Sequence, residues 1–274
     1  MSHGVAGRYL SLALRCLVAV AVLTAALLPA PASGASLPEP AAPAPVEQSA
    51  CFPETGFCIE RPAFLEYFRA LGGTRILGYP VSREFTLDGF PVQFFQRVVL
   101  QLNAGRVERL NVLDSSVMPM TRANQSTFPG PDPGMAAAAP VPGTSNYGER
   151  VGEFIRTYVP DTWPSSGGQP VGFFELFRTT VPTDDPNLAL LANLEIWGLP
   201  TSRPAFDPNN AGFIYQRFQR GIMHFRTACV CTEGILVGDY FKAVITGQNL
   251  PPDLEADMSG SRYFRQYSPG APNW

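Results

Sequence analysis

Apolar residues recur at helical spacing in one stretch of this chain. Between Pro62 and Leu71, the residues Phe64, Leu65, Phe68 and Leu71 fall on one face, and Gly72-Gly73 supplies the stop. Residues 235–246, after Thr232-Glu233-Gly234, read as a second helix, ended by Gly247. A two-residue alternation takes over at 91–102 and again from about Phe213 to Phe225, so both segments read as strands. Asn103-Ala104-Gly105 predicts a hairpin turn back into 106–113.

The pattern occurs twice. FLEYFR (64–69), GYPVSR (78–83) and QFFQR (93–97) are followed in the same order by FFELFR (173–178), GLPTSR (198–203) and QRFQR (216–220). Three blocks in register point to an internal duplication. The gap from Arg178 to Gly198 is the longer one and includes an Asp184-Asp185-Pro186 turn. The Gly-x-Pro-x-Ser segment of each copy cannot lie inside a helix and predicts a bend. The fold class expected is α+β: two related lobes, each a short helix packed on a small antiparallel sheet, joined by a Pro/Ala/Gly-rich linker.

Composition sets the boundaries. The 274 residues include 28 Pro and 25 Gly, and only 16% are charged, which favours short elements over long helices. Residues 36–50 and 119–146 are Pro- and Ala-rich and read as extended spacers. The expected organisation is a signal peptide (1–35), a spacer (36–50), lobe 1 (51–118), a linker (119–146), lobe 2 (147–248) and a C-terminal tail (249–274). Tyr263, Phe264, Tyr267 and Trp274 suggest that this tail packs on the rest.

The N-terminus carries the three parts of a secretion signal: Arg8 and Arg15, an apolar run from Cys16 to Leu28, and small residues up to a Ser33-Gly34-Ala35 cleavage site. The run falls short of the ~20 residues that a spanning helix needs, so cleavage is expected, with an uncleaved anchor as the alternative. The expected location is therefore secreted or at the cell surface, with no membrane association after cleavage. Cleavage would remove two of the 20 basic residues and none of the 23 acidic ones, leaving 18 against 23. Lys242 is the only lysine, and no basic run exists beyond the signal, which argues against nucleic acid as a partner. Four cysteines remain: Cys51, Cys58, Cys229 and Cys231. In an oxidising compartment they predict disulfides, with three connectivities open and Cys51–Cys58 the easiest pair. Neither spacing suits a zinc site, so no metal is expected.

Alternation along the predicted strands places Gln93, Phe95 and Arg97 on one face of the first copy, and Gln216, Phe218 and Arg220 on the same face of the second. Across the strand the copies diverge, with Arg217 replacing Phe94 and Gly221 replacing Val98. Two roles compete for the shared residues. They can form a ligand-binding strip, an aromatic for stacking on sugars flanked by planar hydrogen-bonding groups. Alternatively, Gln and Arg tie the strand to carbonyls of the bend while the aromatic fills the core.

An inventory leaves little room for catalysis. The two histidines are His3, in the signal segment, and His224, mid-strand beside Met223 and Phe225. G-x-S-x-G, H-E-x-x-H, P-loop and dinucleotide-binding motifs are absent. Glu66 and Glu175 occupy one repeat position, which suits a repeat role better than a unique active site. No catalytic residue and no cofactor is assigned.

CFPETGFCIERPAFLEYFRALGGTRILGYPVSREF followed by GFPVQFFQRVVLQL resembles a repeat in uncharacterised secreted two-repeat proteins of Chloroflexota-type bacteria. The resemblance covers residues 51–113, and QRFQRGIMHF with TEGILVGDYFKAVITGQNLPPDL is similar to the partner half of those proteins. Leu77-Gly78-Tyr79-Pro80 and the later strand are more distantly similar to the LGFP repeat of actinobacterial envelope proteins. Gln96 and Gln219 stand where the first family more often has Glu, and the second copy carries an insertion. The resemblance implies a role at the cell envelope. The function expected is a secreted, non-catalytic, envelope-associated module binding a cell-wall or surface polysaccharide. The alternatives are an envelope-acting hydrolase with carboxylates between the lobes, or a purely structural surface protein.

Overall fold

The computed structural model describes residues 49–164 and 167–267. The signal segment, nearly all of the first spacer, and Trp274 with its flanking prolines lie outside the described residues. The described residues fall within one compact unit.

The first half begins with a ribbon of β1 (Ala50–Phe52) and β2 (Phe57–Ile59), in which Cys51 faces Cys58 and is bonded to it. Helix α1 (Pro62–Ala70) follows, with Pro62 in its first turn, where the missing N–H costs nothing. Its predicted face is the buried one: Phe64, Leu65 and Phe68 enter the core. Gly72 and Gly73, at positive φ, end it before a single helical turn, α2 (Thr74–Leu77). A four-stranded antiparallel meander completes this half: β3 (Phe85–Leu87), β4 (Phe90–Phe94), β5 (Val99–Asn103) and β6 (Arg106–Arg109). Ala104 and Gly105, both at positive φ, make the expected turn between β5 and β6.

The middle of the chain departs from expectation. Residues 119–146 do not behave as an extended spacer. They contain β7 (Arg122–Ala123), β8 (Ser126–Thr127) and α3 (Pro133–Ala138), and they bury Met120, Ala123, Phe128 and Met135. The apolar side chains scattered among the prolines supply a packing surface that composition alone hides.

The second half runs through α4 (Tyr147–Tyr158), a small ribbon of β9 (Thr162–Trp163) with β10 (Gln169–Pro170), α5 (Phe173–Thr179) and α6 (Pro186–Trp197). Helix α6 accounts for most of the longer gap between Arg178 and Gly198. A second four-stranded meander follows: β11 (Ala205–Asp207), β12 (Asn210–Arg217), β13 (Ile222–Arg226) and β14 (Cys231–Gly234). Cys229 is bonded to Cys231 at its edge, so of the three connectivities the observed one pairs neighbours in sequence. The chain ends with α7 (Val237–Thr246) and α8 (Pro252–Met258). Gly247, at φ +71°, ends α7. Tyr263 is buried in the expected tail, and Phe264 and Tyr267 pack against the same cluster.

Helices and antiparallel sheets thus give an α+β fold, but the halves do not own separate cores. Phe64, Phe68 and Phe95 share one apolar cluster with Phe173, Phe177 and Phe218. The outer faces of the two meanders are covered crosswise. Helix α7 follows the second meander yet covers the first: Phe241 stacks on Phe94 at 5.4 Å, and Lys242 Nζ donates to Val81 O at 2.6 Å. The segment after the first meander covers the second: Phe128 meets Tyr215 edge-on at 4.9 Å. The Arg217 guanidinium donates to Met120 O and Leu113 O, at 2.6 and 2.9 Å. Burial lowers the Arg217 pKa to about 10, so these carbonyls compensate a guanidinium removed from water. Each sheet has one apolar face too many for its own helix, and exchanging covers buries both.

Candidate functional site

The predicted strands 91–102 and 213–225 are each two strands joined by a tight tip. Phe94 pairs with Val99, and Arg217 with Ile222. Phe95 N donates to Val98 O at 2.9 Å, and Phe218 N to Gly221 O at 2.8 Å. Alternation therefore stops at Phe94 and Arg217, and the six candidate residues do not form a single exposed strip. Val98, Gly221 and the neighbouring positions offer no Gly-Asn turn signal; the tips form because the preceding bend holds them.

That hold is the same in both halves. Gln96 N donates to Tyr79 O and Arg97 N to Leu77 O, each at 3.0 Å; Gln219 N donates to Leu199 O and Arg220 N to Trp197 O at the same distance. The side-chain amide completes the clamp: Gln96 Oε1 accepts from Tyr79 N at 3.1 Å, and Gln219 Oε1 accepts from Leu199 N at 2.9 Å. The bend glycines, Gly78 at φ +78° and Gly198 at φ +71°, lie directly beneath. A Cβ on either would stand 2.6 Å from the glutamine Cβ.

Gln93 and Gln216 are buried structural ties. Gln93 Nε2 donates to Ser82 O at 3.0 Å and Cys58 O at 2.8 Å; Gln216 Nε2 donates to Ser202 O at 3.1 Å and Tyr158 O at 2.6 Å. The bend serines reciprocate, Ser82 Oγ accepting from Phe94 N and Ser202 Oγ from Arg217 N, both at 2.9 Å. Phe95 and Phe218 are fully buried, stacked on Phe68 at 5.6 Å and Phe177 at 6.0 Å. These four residues hold the fold, so the strip reading is corrected for them. Buried amides and rings leave no surface for a sugar.

Arg97 and Arg220 are different. Both are half-buried at the hairpin tips, and both line one cavity of about 340 Å³. Ile76, Val98, Ile196 and Gly221 line it too, equivalent positions drawn from both halves. Trp197 closes it from the second half, its indole N–H donating to Thr180 Oγ1 at 3.0 Å. The ring occupies space that Gly221 leaves: a Cβ there would lie 2.9 Å from the indole. Arg220 is anchored, with Nε donating to Asn111 Oδ1 at 2.8 Å and Nη1 to Leu194 O and Glu195 O. Arg97 reaches Gly234 O at 3.5 Å, and its Nε is buried with no hydrogen-bond partner. Arg75 adds a third guanidinium to the rim.

Arg97 and Glu233–Ile235 also border a neighbouring groove of about 530 Å³, lined by Phe213, Tyr215, His224, Asp239 and Tyr240 among others. His224 Nε2 lies 3.6 Å from Glu233 Oε2, and burial lowers its pKa. Glu233 is also 3.3 Å from Arg226. Burial pushes the Asp239 carboxyl up to about 6 despite nearby Lys242. Sequence reasoning named neither Glu233, Asp239 nor Trp197. The equivalence of Ile76-Leu77-Gly78 with Ile196-Trp197-Gly198 was the available signal for Trp197. Glu66 and Glu175 are both exposed, and neither lines these two recesses.

Among the described residues, no group of three or more metal-ligating side chains is assembled, and no helix is long and apolar enough to cross a membrane. Comparison with family models, curated proteins and solved structures finds no match for this chain.

Proposed function

We propose that this is an exported, envelope-associated binding module, built by duplication of one hairpin-and-helix unit, that takes a cell-wall or surface polysaccharide in the recess between its two hairpin tips. One observation carries the reading: Arg97 and Arg220, equivalent in the two sets of blocks, converge on one cavity, although the rest of each block is spent on holding the fold. A saccharide needs planar donors beside an aromatic wall. Arg97 and Arg220 supply the donors, and the edge of the largely buried Trp197 closes one side of the cavity. The signal-like N-terminus, the two disulfides and the resemblance to secreted two-repeat proteins support placement outside the cytoplasm.

The test is a pull-down of the protein on insoluble cell wall and purified polysaccharides, with Arg97→Ala and Arg220→Ala alongside. Saturable binding by wild type that is lost in folded variants is expected. No binding by folded wild type overturns the reading.

A second reading, an envelope-acting hydrolase, is favoured by one pair: Glu233 and Asp239 both line the neighbouring groove, one ion-paired and the other raised towards neutrality. A glycosidase needs such an unequal pair. Release of reducing ends from cell-wall glycans, lost in both Glu233→Gln and Asp239→Asn, would establish it; no release from any of them would remove it.

A further inference from the structure

Resting on the polysaccharide reading, the charge of the recess narrows the ligand class. Three guanidinium groups border the cavity, from Arg75, Arg97 and Arg220, against one carboxylate, Glu233. Glu233 is committed elsewhere, to Arg226. Arg220 has partial compensation from Glu195, whose Oε2 lies 3.6 Å away. Neither Arg75 nor Arg97 has a carboxylate within ion-pair distance among the described residues; both reach only main-chain carbonyls, Thr180 O and Gly234 O. The chain as a whole carries a net charge of −3, so this uncompensated cationic recess runs against the average.

A half-buried guanidinium with an unpartnered Nε has lost water and gained little in return. An anion entering the cavity would give this guanidinium the charged partner that it lacks. Asn111 and two carbonyls take the Nε and Nη1 donors of Arg220, which fixes the plane of its guanidinium before any ligand arrives and leaves Nη2 to donate.

We infer that the cavity between the two hairpin tips is an anion-reading subsite, and that the polysaccharide it takes is acidic, bearing carboxylate or phosphate groups held by Arg97 and Arg220. Arg75, on the exposed rim, adds attraction without shape.

The experiment is calorimetric titration of the full-length protein with three probes: an oligogalacturonate, a glycerol-phosphate oligomer and a neutral cello-oligosaccharide. At least one acidic probe is expected to bind with affinity that falls as salt is raised, and the neutral probe more weakly. The two acidic probes separate carboxylate from phosphate. Arg97→Gln should weaken binding by about tenfold or more with an unfolding midpoint matching wild type, and Arg220→Gln should weaken it by at least as much at a temperature where circular dichroism shows it folded. Arg97→Lys should recover only part of the loss, because an ammonium keeps the charge and not the fork. Equal binding of neutral and acidic probes, or acidic binding indifferent to Arg97→Gln, overturns the inference while leaving the polysaccharide reading in place. Failure of all three probes, together with failure of the cell-wall pull-down, overturns both.

Discussion

Gly238 sits against the main chain of Phe95 so closely that a Cβ on it would lie 1.8 Å from the Phe95 carbonyl oxygen. The contact joins the start of α7 to the first hairpin tip, and Gly238 N donates to Gln96 O at 2.9 Å. Phe95 belongs to the first set of blocks and Gly238 follows the second, so this approach fastens the exchanged cover to the sheet beneath it. Gly238→Ala should destabilise the protein by about 3 kcal/mol or more, because the obstacle is backbone and cannot rotate away. Denaturant unfolding followed by circular dichroism measures it. A loss below ~1 kcal/mol would mean that the cover does not need this approach.

The glutamines of the shared blocks should respond oppositely to the same change. Gln93 works through its amide N–H groups, which donate to two carbonyls, whereas Gln96 works through its oxygen, which accepts from Tyr79 N. Gln93→Glu would set a buried carboxylate against carbonyl oxygens and should cost about 2–4 kcal/mol. Gln96→Glu keeps an acceptor in place and should stay within ~1 kcal/mol of wild type. Paired unfolding curves decide; equal losses would contradict the donor and acceptor assignment.

Trp197 and Gly221 have exchanged volume relative to Leu77 and Val98. Gly221→Val should drive a branched side chain into the indole, and Trp197→Leu should leave a void; each alone should cost about 2–4 kcal/mol. The double variant restores the pair found in the first half and should be less destabilised than the sum, with a coupling of about 1–3 kcal/mol. Additive losses would show that Gly234, whose Cβ position lies 2.7 Å from the same ring, is the dominant constraint.

Asp239 should make the native state less stable as pH rises. Its folded-state pKa is raised from the ordinary 3.8 to about 6 by burial, so between these values the native state holds more protons than the unfolded one. The contribution of this group is therefore fully present below pH 3.8 and is lost as pH rises through 6. Asp239→Asn removes the ionisation and should be more stable than wild type at pH 7.5, with the advantage vanishing near pH 3.5. Chemical unfolding at the two pH values checks this. An Asn variant less stable than wild type at neutral pH would mean that attraction to Lys242 outweighs the desolvation.

By itself the sequence determined the parts that depend on local chemistry. The period of Phe64, Leu65 and Phe68, closed by two glycines, made α1 legible, and Asn103-Ala104-Gly105 marked the β5–β6 turn. The second and third matching blocks marked the positions that make the same hydrogen bonds in both halves. What the sequence hid depends on which surface each segment finds. Alternation reads the same for one long strand as for two strands meeting at a tip, and the tips at Gln96-Arg97 and Gln219-Arg220 lack turn residues. They exist because main-chain groups of Leu77, Tyr79, Trp197 and Leu199, distant along the chain, accept their amides. Likewise, composition made 119–146 a spacer, whereas Met120 and Phe128 have an apolar sheet face to cover. The convergence of Arg97 and Arg220 is decided last of all. Residues 123 positions apart come to line one cavity only after both halves have pooled their apolar faces, since that burial, and no local preference, sets where the two tips meet.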